Sequence, residues 1–200
     1  MKKIKTIGMV VLSVIFAAAG GLICTGVIDT LAEDELKVAH HCTFIVPAEF
    51  EPSDTEGTFI NKNAPMESSS ISYSVYYNGK DIVLTNREKL ANPEAIEAAV
   101  VDNSRNMTSK SYTEMISSAY AKEYGQDVNF EVESFDNITI DGYPGYAIQS
   151  TFQLPDTQKV YQTVYILLSR YKTYTITYQR AEDDDCAELF EKSAASIHVG

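Results

Sequence analysis

Two cysteines are the most reactive side chains in the part of this chain that can fold as a domain. Cys42 and Cys186 are the cysteines that lie outside a long uncharged N-terminal stretch. In an oxidising compartment they could form a disulfide, which would contribute up to about 4–5 kcal/mol by restricting the unfolded chain. The alternative is two separate reduced thiols, each in a half-buried position. The distance between the two residues decides between these alternatives, and a sequence does not give it.

Three histidines offer further ligands for a soft divalent metal. His40 and His41 directly precede Cys42, and His198 could join them if the terminal strands were neighbours. Imidazole nitrogen and thiolate sulfur are ligands that zinc prefers. Adjacent residues of a strand point to opposite faces, so His40 and Cys42 could share a metal, whereas His41 could not. We interpret the segment as a polar stalk that enters a strand, and the sequence predicts neither a metal nor another cofactor.

The acidic run at residues 182–185 does not have the spacing of a calcium loop. An EF-hand loop needs alternating oxygen ligands, a central glycine and a terminal glutamate. Acids at the start of a helix cap free backbone N–H groups and complement the helix dipole, so we predict that this run caps a helix. The sequence also contains no Gly-x-Ser-x-Gly elbow, no His-Glu-x-x-His pair and no glycine-rich phosphate loop. These observations favour a noncatalytic protein.

The N-terminal stretch has the composition of a membrane segment. Residues 6–28 carry no charge, and at 1.5 Å per residue they span about 35 Å, enough to cross the hydrocarbon core. Lysines precede it and acids follow it, which places the N-terminus inside. It is either a signal peptide cleaved near residues 17–19 or an uncleaved signal anchor, and the apolar residues beyond that site favour the anchor. Ile23 before Cys24 does not fit a lipoprotein signal. Both alternatives place the rest of the chain outside the cytoplasm.

The charge of the remaining chain excludes several partners. Without Lys2, Lys3 and Lys5, 13 basic residues stand against 28 acidic ones, a net charge of −15. A field of this sign repels phosphate backbones, so the sequence predicts no nucleic-acid partner. It also argues against docking of the folded domain on anionic lipid, which leaves the N-terminal helix as the predicted contact with the membrane.

The hydrophobic patterns predict an N-terminal segment at residues 1–28, a stalk at 29–41 and one α+β domain at 42–200. Period-two alternation predicts strands at residues 42–46, 71–77, 82–84, 128–140, 146–154, 160–169, 173–178 and 197–199. One helix begins at residues 92–94, a second begins with Ser111 and Glu114 in capping-box spacing and ends at Gly125, and a third follows the acidic run. Tight turns between consecutive strands predict antiparallel pairing.

A predicted loop and a predicted hairpin form the candidate contact surface. Residues 51–70 are rich in Ser, Pro, Asn, Gly and acids without a sustained period, which predicts a long surface loop. A loop of this length is often functional. Asn78-Gly79 predicts a tight turn within a hairpin at residues 76–81. Because loops on a rigid sheet commonly bind partners, we expect contacts from these residues: Phe59, Ile60, Tyr76, Tyr77 and Asn78.

Several segments occur in an order that is found in a known family. They are VPAEF at residues 46–50, then helices, IDGYPGY at residues 140–146, YTITY at residues 174–178, and, after the acidic run, Phe190, Ser193, Ser196 and Ile197. In this order, residues 42–199 resemble the PsbP-like α/β/α sandwich group, which also includes bacterial surface and lipoprotein-type domains. The resemblance implies an antiparallel sheet with helices on both sides. It also implies an accessory or binding module without a shared catalytic set of residues.

The sequence therefore predicts an α+β domain, an antiparallel sheet flanked by helices, preceded by one N-terminal transmembrane or signal helix. Its predicted function is that of a membrane-anchored extracytoplasmic accessory or binding module that holds a protein partner or a small ligand near the membrane. If the N-terminal segment is cleaved, the domain is secreted. The alternative is a secreted hydrolase-type or metal-dependent protein that uses the corner from His40 to Cys42.

Overall fold

A computed structural model describes residues 36–64, 68–77, 103–125, 128–155 and 157–200. Several predicted features lie outside these ranges: the N-terminal membrane segment, the turn at residues 78–79, the strand at 82–84 and the helix that begins at 92. Within the described ranges, no helix is long and apolar enough to cross a membrane.

The described strands form a seven-stranded antiparallel sheet and a separate two-stranded ribbon. The sheet has the order β2-β3-β4-β8-β7-β6-β5, with β2 (Phe50–Pro52), β3 (Thr58–Asn61), β4 (Ser70–Tyr77), β5 (Glu131–Ile140), β6 (Tyr143–Phe152), β7 (Val160–Leu168) and β8 (Lys172–Ala181). The ribbon pairs β1 (Cys42–Thr43) with β9 (His198–Val199). The α-helices of the described part are α1 (Ser109–Tyr124) and α2 (Ala187–Ala194), and a short 3-10 helix spans Asn103–Asn106.

The alternation that predicted β8 separates two faces of the sheet. Tyr174, Ile176 and Tyr178 are buried on one face, where they oppose the odd-numbered residues of β4 and β7. The threonines between them point to the other face, because successive side chains of a strand alternate. Each face of the sheet therefore needs its own covering layer.

The first face is covered by α2 and the ribbon. The ring of Phe190 in α2 lies with its centroid 5.2 Å from that of Tyr178 and 5.5 Å from that of Phe50. Cys42 and Val199 of the ribbon are buried in the same cluster. These centroid separations are typical of aromatic pairs that pack in a protein core.

The second face is covered by α1. Its buried residues Tyr112, Ile116 and Tyr120 recur at the spacing of one helix face, as the amphipathic stripe predicted. Tyr120 is fully buried, and its ring centroid lies 4.9 Å from that of Phe152 in β6. Helices therefore cover both faces of one antiparallel sheet, and the predicted α/β/α sandwich is confirmed for the described residues.

The end of α1 was predicted correctly, but its start was not. Gly125 adopts the left-handed conformation at φ 66°, the expected C-cap. At the start, however, the capping box joins Thr108 to Ser111, since the Ser111 N–H donates to Thr108 Oγ1 and the Thr108 N–H donates to Ser111 Oγ. The predicted pair of Ser111 with Glu114 is therefore wrong, because the N-cap of the helix is Thr108, three residues before Ser111.

The prediction of a long loop at residues 51–70 is also wrong. This segment contains part of β2, all of β3 and the start of β4, so residues 50–61 form a hairpin that extends the sheet beyond β4. β3 is only four residues long, and its two ends, Thr58 and Asn61, are polar but buried. A strand this short with polar inward residues has no visible period-two signal.

The acidic run does not cap α2, contrary to the prediction. The N-cap residue is Cys186, and no side chain there accepts a hydrogen bond from the helix start. Asp184 is instead buried and accepts a hydrogen bond from the backbone N–H of Ser68 at 3.1 Å. The predicted first strand at residues 42–46 is also shortened to the two residues of β1, because β9 offers only two residues to pair with.

Candidate binding surfaces

The tip of the β2–β3 hairpin, residues 53–57, is a tightly hydrogen-bonded turn. The Ser53 hydroxyl oxygen accepts the Thr55 N–H at 3.1 Å, and the Thr58 N–H donates to the Thr55 carbonyl at 3.1 Å. The Ser53 N–H closes the turn by donating to the Thr58 carbonyl at 2.9 Å. Side-chain to backbone bonds of this kind fix a turn conformation.

Gly57 attaches this tip to the body of the sheet. Its carbonyl accepts the Tyr73 N–H at 2.7 Å, and its φ is +73°. A Cβ at this position would lie 2.3 Å from the Tyr73 carbonyl oxygen, so no side chain fits. The tip therefore lies directly against the middle of β4, and its direction relative to the sheet is fixed.

The tip presents negative charge to solvent. Asp54, Thr55 and Glu56 are exposed, and Glu51 is exposed on the adjacent strand. Because the backbone beneath them is fixed, these side chains have a defined location on the edge of the sheet. The arrangement suits contact with a basic surface, since opposite potentials promote association.

The structure does not bring the predicted contact residues together. Phe59 and Ile60 lie in β3 opposite Ile71 and Ser70, at the start of β4. Tyr77 ends β4, six residues further along, which at 3.3 Å per residue is about 20 Å away. Tyr76 lies next to Tyr77, half-buried on the opposite face, and Asn78 lies outside the described residues. The predicted single surface is therefore two separate ones.

The second surface lies at the end of the sheet where β4 finishes and β8 begins. Tyr77 is 55% exposed, and the Lys172 ammonium lies 5.6 Å from the centroid of its ring. The neighbouring Arg170 guanidinium lies 5.4 Å from the ring centroid of Tyr171. Cations over ring faces at these distances are attracted by the ring quadrupole. We call this surface the basic–aromatic end, and it consists of Lys37, Val38, Tyr77, Arg170, Tyr171 and Lys172.

The two domain cysteines are separate, buried, free thiols. Of the two alternatives that the sequence left open, a disulfide or two separate reduced thiols, the structure therefore contains the two separate thiols. Burial, and secondarily the charge of Asp141, raises the pKa of Cys42 to about 11. Burial also raises the pKa of Cys186. At neutral pH both sulfurs are protonated, so neither is a good nucleophile or metal ligand.

The histidine corner is arranged differently from the expectation. The terminal strands are neighbours, since Cys42 pairs with Val199, but Cys42 is buried in the core whereas His40 and His198 are exposed. His198 Nδ1 lies 3.2 Å from a carboxylate oxygen of Asp141, and the Val199 N–H donates to the same oxygen at 3.0 Å. Within the described ranges, no three His, Cys, Asp or Glu side chains converge on a metal position.

A polar network lies between α1 and the sheet, which the sequence did not predict. The Tyr120 hydroxyl donates to Gln162 Oε1 at 3.1 Å, and Gln162 Nε2 donates to Gln179 Oε1 at 2.8 Å. The network borders a cavity of about 10 Å³, on the order of one water molecule, which Thr175 also lines. Burial raises the pKa of Tyr120. The network satisfies buried polar groups, and the cavity beside it is too small for a substrate.

Comparison with known proteins identifies the fold. No protein-family model matches the chain, and no curated protein sequence matches it. The solution structure of cyanobacterial PsbP (CyanoP) from Synechocystis sp. PCC 6803 is similar, with a TM-score of 0.51 and 17% identity over 80% of this chain and 86% of that one. LpqN, described as involved in cell envelope biogenesis of Mycobacterium tuberculosis, gives a TM-score of 0.39 and 9% identity over 79% and 82%. A protein from Bacteroides thetaiotaomicron gives 0.39 and 13% over 80% and 45%. The described domain has a PsbP-like fold.

Proposed function

We propose that this PsbP-like chain is a noncatalytic binding module outside the cytoplasm, attached to the membrane by its N-terminal segment, and that it holds a protein partner on the tip of its β2–β3 hairpin. The observation that carries the proposal is the tip itself. Its exposed acids, Asp54 and Glu56, lie on a turn that Gly57 attaches to the sheet. Binding residues are commonly presented in this way, on a short segment that a rigid scaffold positions.

A fixed turn lowers the entropic cost of association. Ordering a flexible loop on binding opposes affinity, at about 0.5–1.5 kcal/mol for each immobilised side chain. The hydrogen bonds of Ser53 and Thr58 order the backbone of the tip before a partner arrives. The negative charge of the tip selects a partner whose surface is basic, and repels acidic surfaces.

The chemistry of the described residues supports binding over catalysis. The thiols of Cys42 and Cys186 are buried and protonated, and the Tyr120 phenol is occupied by Gln162. The alternative that uses the corner from His40 to Cys42 is weakened, because Cys42 is buried in the core whereas His40, its predicted companion, is exposed. The uncharged residues 6–28, followed by acids, support attachment to the membrane with the domain outside.

The test is capture of a partner from intact cells by cross-linking to the full-length chain with a C-terminal tag. The double substitution Asp54→Lys/Glu56→Lys reverses the charge of the tip without touching its backbone bonds. Glu131→Lys/Asp136→Lys is the matched control, since these acids are also exposed but lie on β5 at the other edge of the sheet. Both variants change the net charge by the same amount, so a difference between them reports the location.

We expect the unmodified chain and the control to capture the same protein, and the tip variant to capture at least about tenfold less. Reversing two charges at the rim of an interface lowers the association rate and disfavours the correct docking orientation, which makes a loss of this size reasonable. Equal capture by all three chains would refute the tip as the contact surface. Absence of any captured protein, with the chain intact in the membrane fraction, would refute the protein-partner proposal.

A further inference from the structure

We propose that the basic–aromatic end of the sheet rests on the headgroups of an anionic membrane, and so fixes the orientation of the domain on its own tether. This inference rests on the membrane attachment proposed above and does not depend on the hairpin tip. Three bases, Lys37, Arg170 and Lys172, lie at this end together with the rings of Tyr77 and Tyr171.

The bases belong to one connected structure. The Arg170 N–H donates to the Lys37 carbonyl at 2.9 Å, and the Lys172 ammonium donates to the His40 carbonyl at 3.2 Å. The turn between β7 and β8 is thereby joined to the segment at residues 37–40 that enters the domain. The backbone positions of the three bases are consequently fixed relative to the sheet.

The aromatic rings give this end an apolar component. Tyr77 is 55% exposed and Val38 is 40% exposed. Tyrosine is enriched at membrane–water interfaces, where its ring meets the acyl boundary and its hydroxyl stays hydrated. The long side chains of Lys37 and Lys172 can extend along such rings while their charges contact headgroups.

Most acids of the described residues lie well away from this contact. The acids of the hairpin tip are the nearer ones, since Gly57 lies beside Tyr73, about 13 Å along β4 from Tyr77, which is more than one Debye length. The acidic run at residues 182–185 and the acids Glu131 and Glu133 lie at the far ends of β8 and β5. β8 is ten residues long, about 33 Å, which is several Debye lengths at physiological ionic strength. Asp141, in the β5–β6 turn, lies at the same end of the sheet as Tyr77 and Lys172. Its carboxylate accepts the Val199 N–H.

The short distance along the chain between the proposed membrane segment and this end of the domain favours a membrane as the partner of this surface. The uncharged segment ends at residue 28, and the described domain begins at residue 36, directly before Lys37. Seven intervening residues reach at most about 25 Å when extended. The linker at residues 29–35 is itself acidic, so the attraction has to come from the bases and rings of this end. A tether this short keeps that end within reach of the headgroups.

A single-tryptophan probe tests the contact, because the chain has no tryptophan of its own. The full-length chain carrying Tyr77→Trp is reconstituted in vesicles of phosphatidylcholine, alone or with an equal part of phosphatidylglycerol, that contain a shallow spin-labelled lipid as quencher. Gln153→Trp serves as the control probe, since Gln153 is exposed at the opposite end of the sheet. Flotation with the vesicles after an alkaline wash reports attachment separately.

We expect quenching of the Tyr77→Trp probe in anionic vesicles, relief of that quenching by high salt, and no quenching of the Gln153→Trp probe. Each base near an anionic surface contributes about fivefold to binding, so Lys37→Gln/Arg170→Gln/Lys172→Gln should lower the docking equilibrium on the order of 100-fold. Lys110→Gln/Lys122→Gln/Lys192→Gln changes the net charge equally at exposed positions elsewhere, and should leave docking unchanged.

Two results would overturn the inference. The first is that the chain floats with the vesicles, but its Tyr77→Trp probe is unquenched or is quenched equally in neutral and anionic vesicles. This end of the sheet would then be a candidate contact for a protein partner and not for anionic lipid. The second is a chain that does not float with the vesicles, which would refute the attachment and the docking together. Capture on the hairpin tip is measured independently of both results, so the docking can fail while the tip proposal stands, and only the second result removes the membrane attachment that the two proposals share.

Discussion

Replacing Gly57 by alanine tests whether the hairpin tip is fixed to the sheet, on which the proposed partner surface depends. Two costs act at this position. The backbone has a φ of +73°, where an L-residue with a Cβ is destabilised by about 1–2 kcal/mol. In addition, the new Cβ would lie 2.3 Å from the Tyr73 carbonyl oxygen, a backbone atom of the residue that pairs with Ile176 of β8.

Gly125 provides a matched control for the first cost. Its φ is +66°, nearly the same, but a Cβ there would have no atom within 4 Å. Gly125→Ala should therefore destabilise the chain by about 1–2 kcal/mol through backbone conformation alone. Gly57→Ala adds a steric term, and overpacking of this kind costs about 1–3 kcal/mol. The difference between the two variants isolates the contact between the tip and β4.

Urea unfolding of the full-length chain in a mild detergent measures both free energies. We expect Gly57→Ala to be less stable than Gly125→Ala by about 1–3 kcal/mol, which for a chain of this size corresponds to at least about 2 °C in Tm. Hydrogen exchange at the Tyr73 N–H should also accelerate in Gly57→Ala, because that N–H donates to Gly57. Equal destabilisation by the two substitutions, with unchanged exchange at Tyr73, would show that the tip does not pack on β4.

Two further predictions concern titratable groups. The Val199 N–H, and secondarily His198, lowers the pKa of Asp141 below its usual 3.8, so ionised Asp141 stabilises the fold above about pH 4 and this contribution is lost as the pH falls through the lowered pKa. Asp141→Asn, which tolerates the positive φ of this turn, should therefore be less stable than the unmodified chain at pH 7, and the difference should shrink as the pH falls through the lowered pKa. A stability difference that persists unchanged in acid would contradict the assignment. Because the pKa of Cys42 is about 11, roughly 0.1% of this thiol is ionised at pH 8, and labelling by a thiol reagent should be at least about 100-fold slower than for an exposed cysteine. Rapid labelling of the native chain would contradict the burial, and absence of these thiols after denaturation without reductant would contradict the free state.

The long strands were predictable because the alternation of residue types along them reflects a sheet whose two faces are both covered. In β8, Tyr174, Ile176 and Tyr178 alternate with threonine because the aromatic and aliphatic side chains pack on the face covered by α2, whereas the threonines lie on the other face, next to polar side chains. The residue types of the turn at Asp141-Gly142 also suit its geometry, because both residues adopt positive φ, which their types tolerate. Local preference and tertiary packing agree at these places.

The hairpin and the acidic run were not predictable, because their partners are distant in the sequence. Among the partners of buried Asn61 is Ser69, whose Oγ accepts a hydrogen bond from the Asn61 amide at 3.1 Å, and buried Asp184 accepts the Ser68 N–H. A polar residue without a local pattern indicates a loop when these partners are unknown. For the same reason the composition could not show that Tyr77 lies far from Phe59.

The direction of the hairpin constrains the kind of partner that both proposals allow. β3 runs antiparallel to β4, so the tip extends past Ser72 towards the end of the sheet that carries Tyr77. Gly57 lies beside Tyr73, four residues or about 13 Å along β4 from Tyr77. If Tyr77 contacts headgroups, a protein held on the tip must lie beside the domain and close to the membrane surface. We therefore expect the captured partner to be itself a membrane protein, with a basic surface just outside the bilayer, and to cofractionate with membranes when the tag is used for capture.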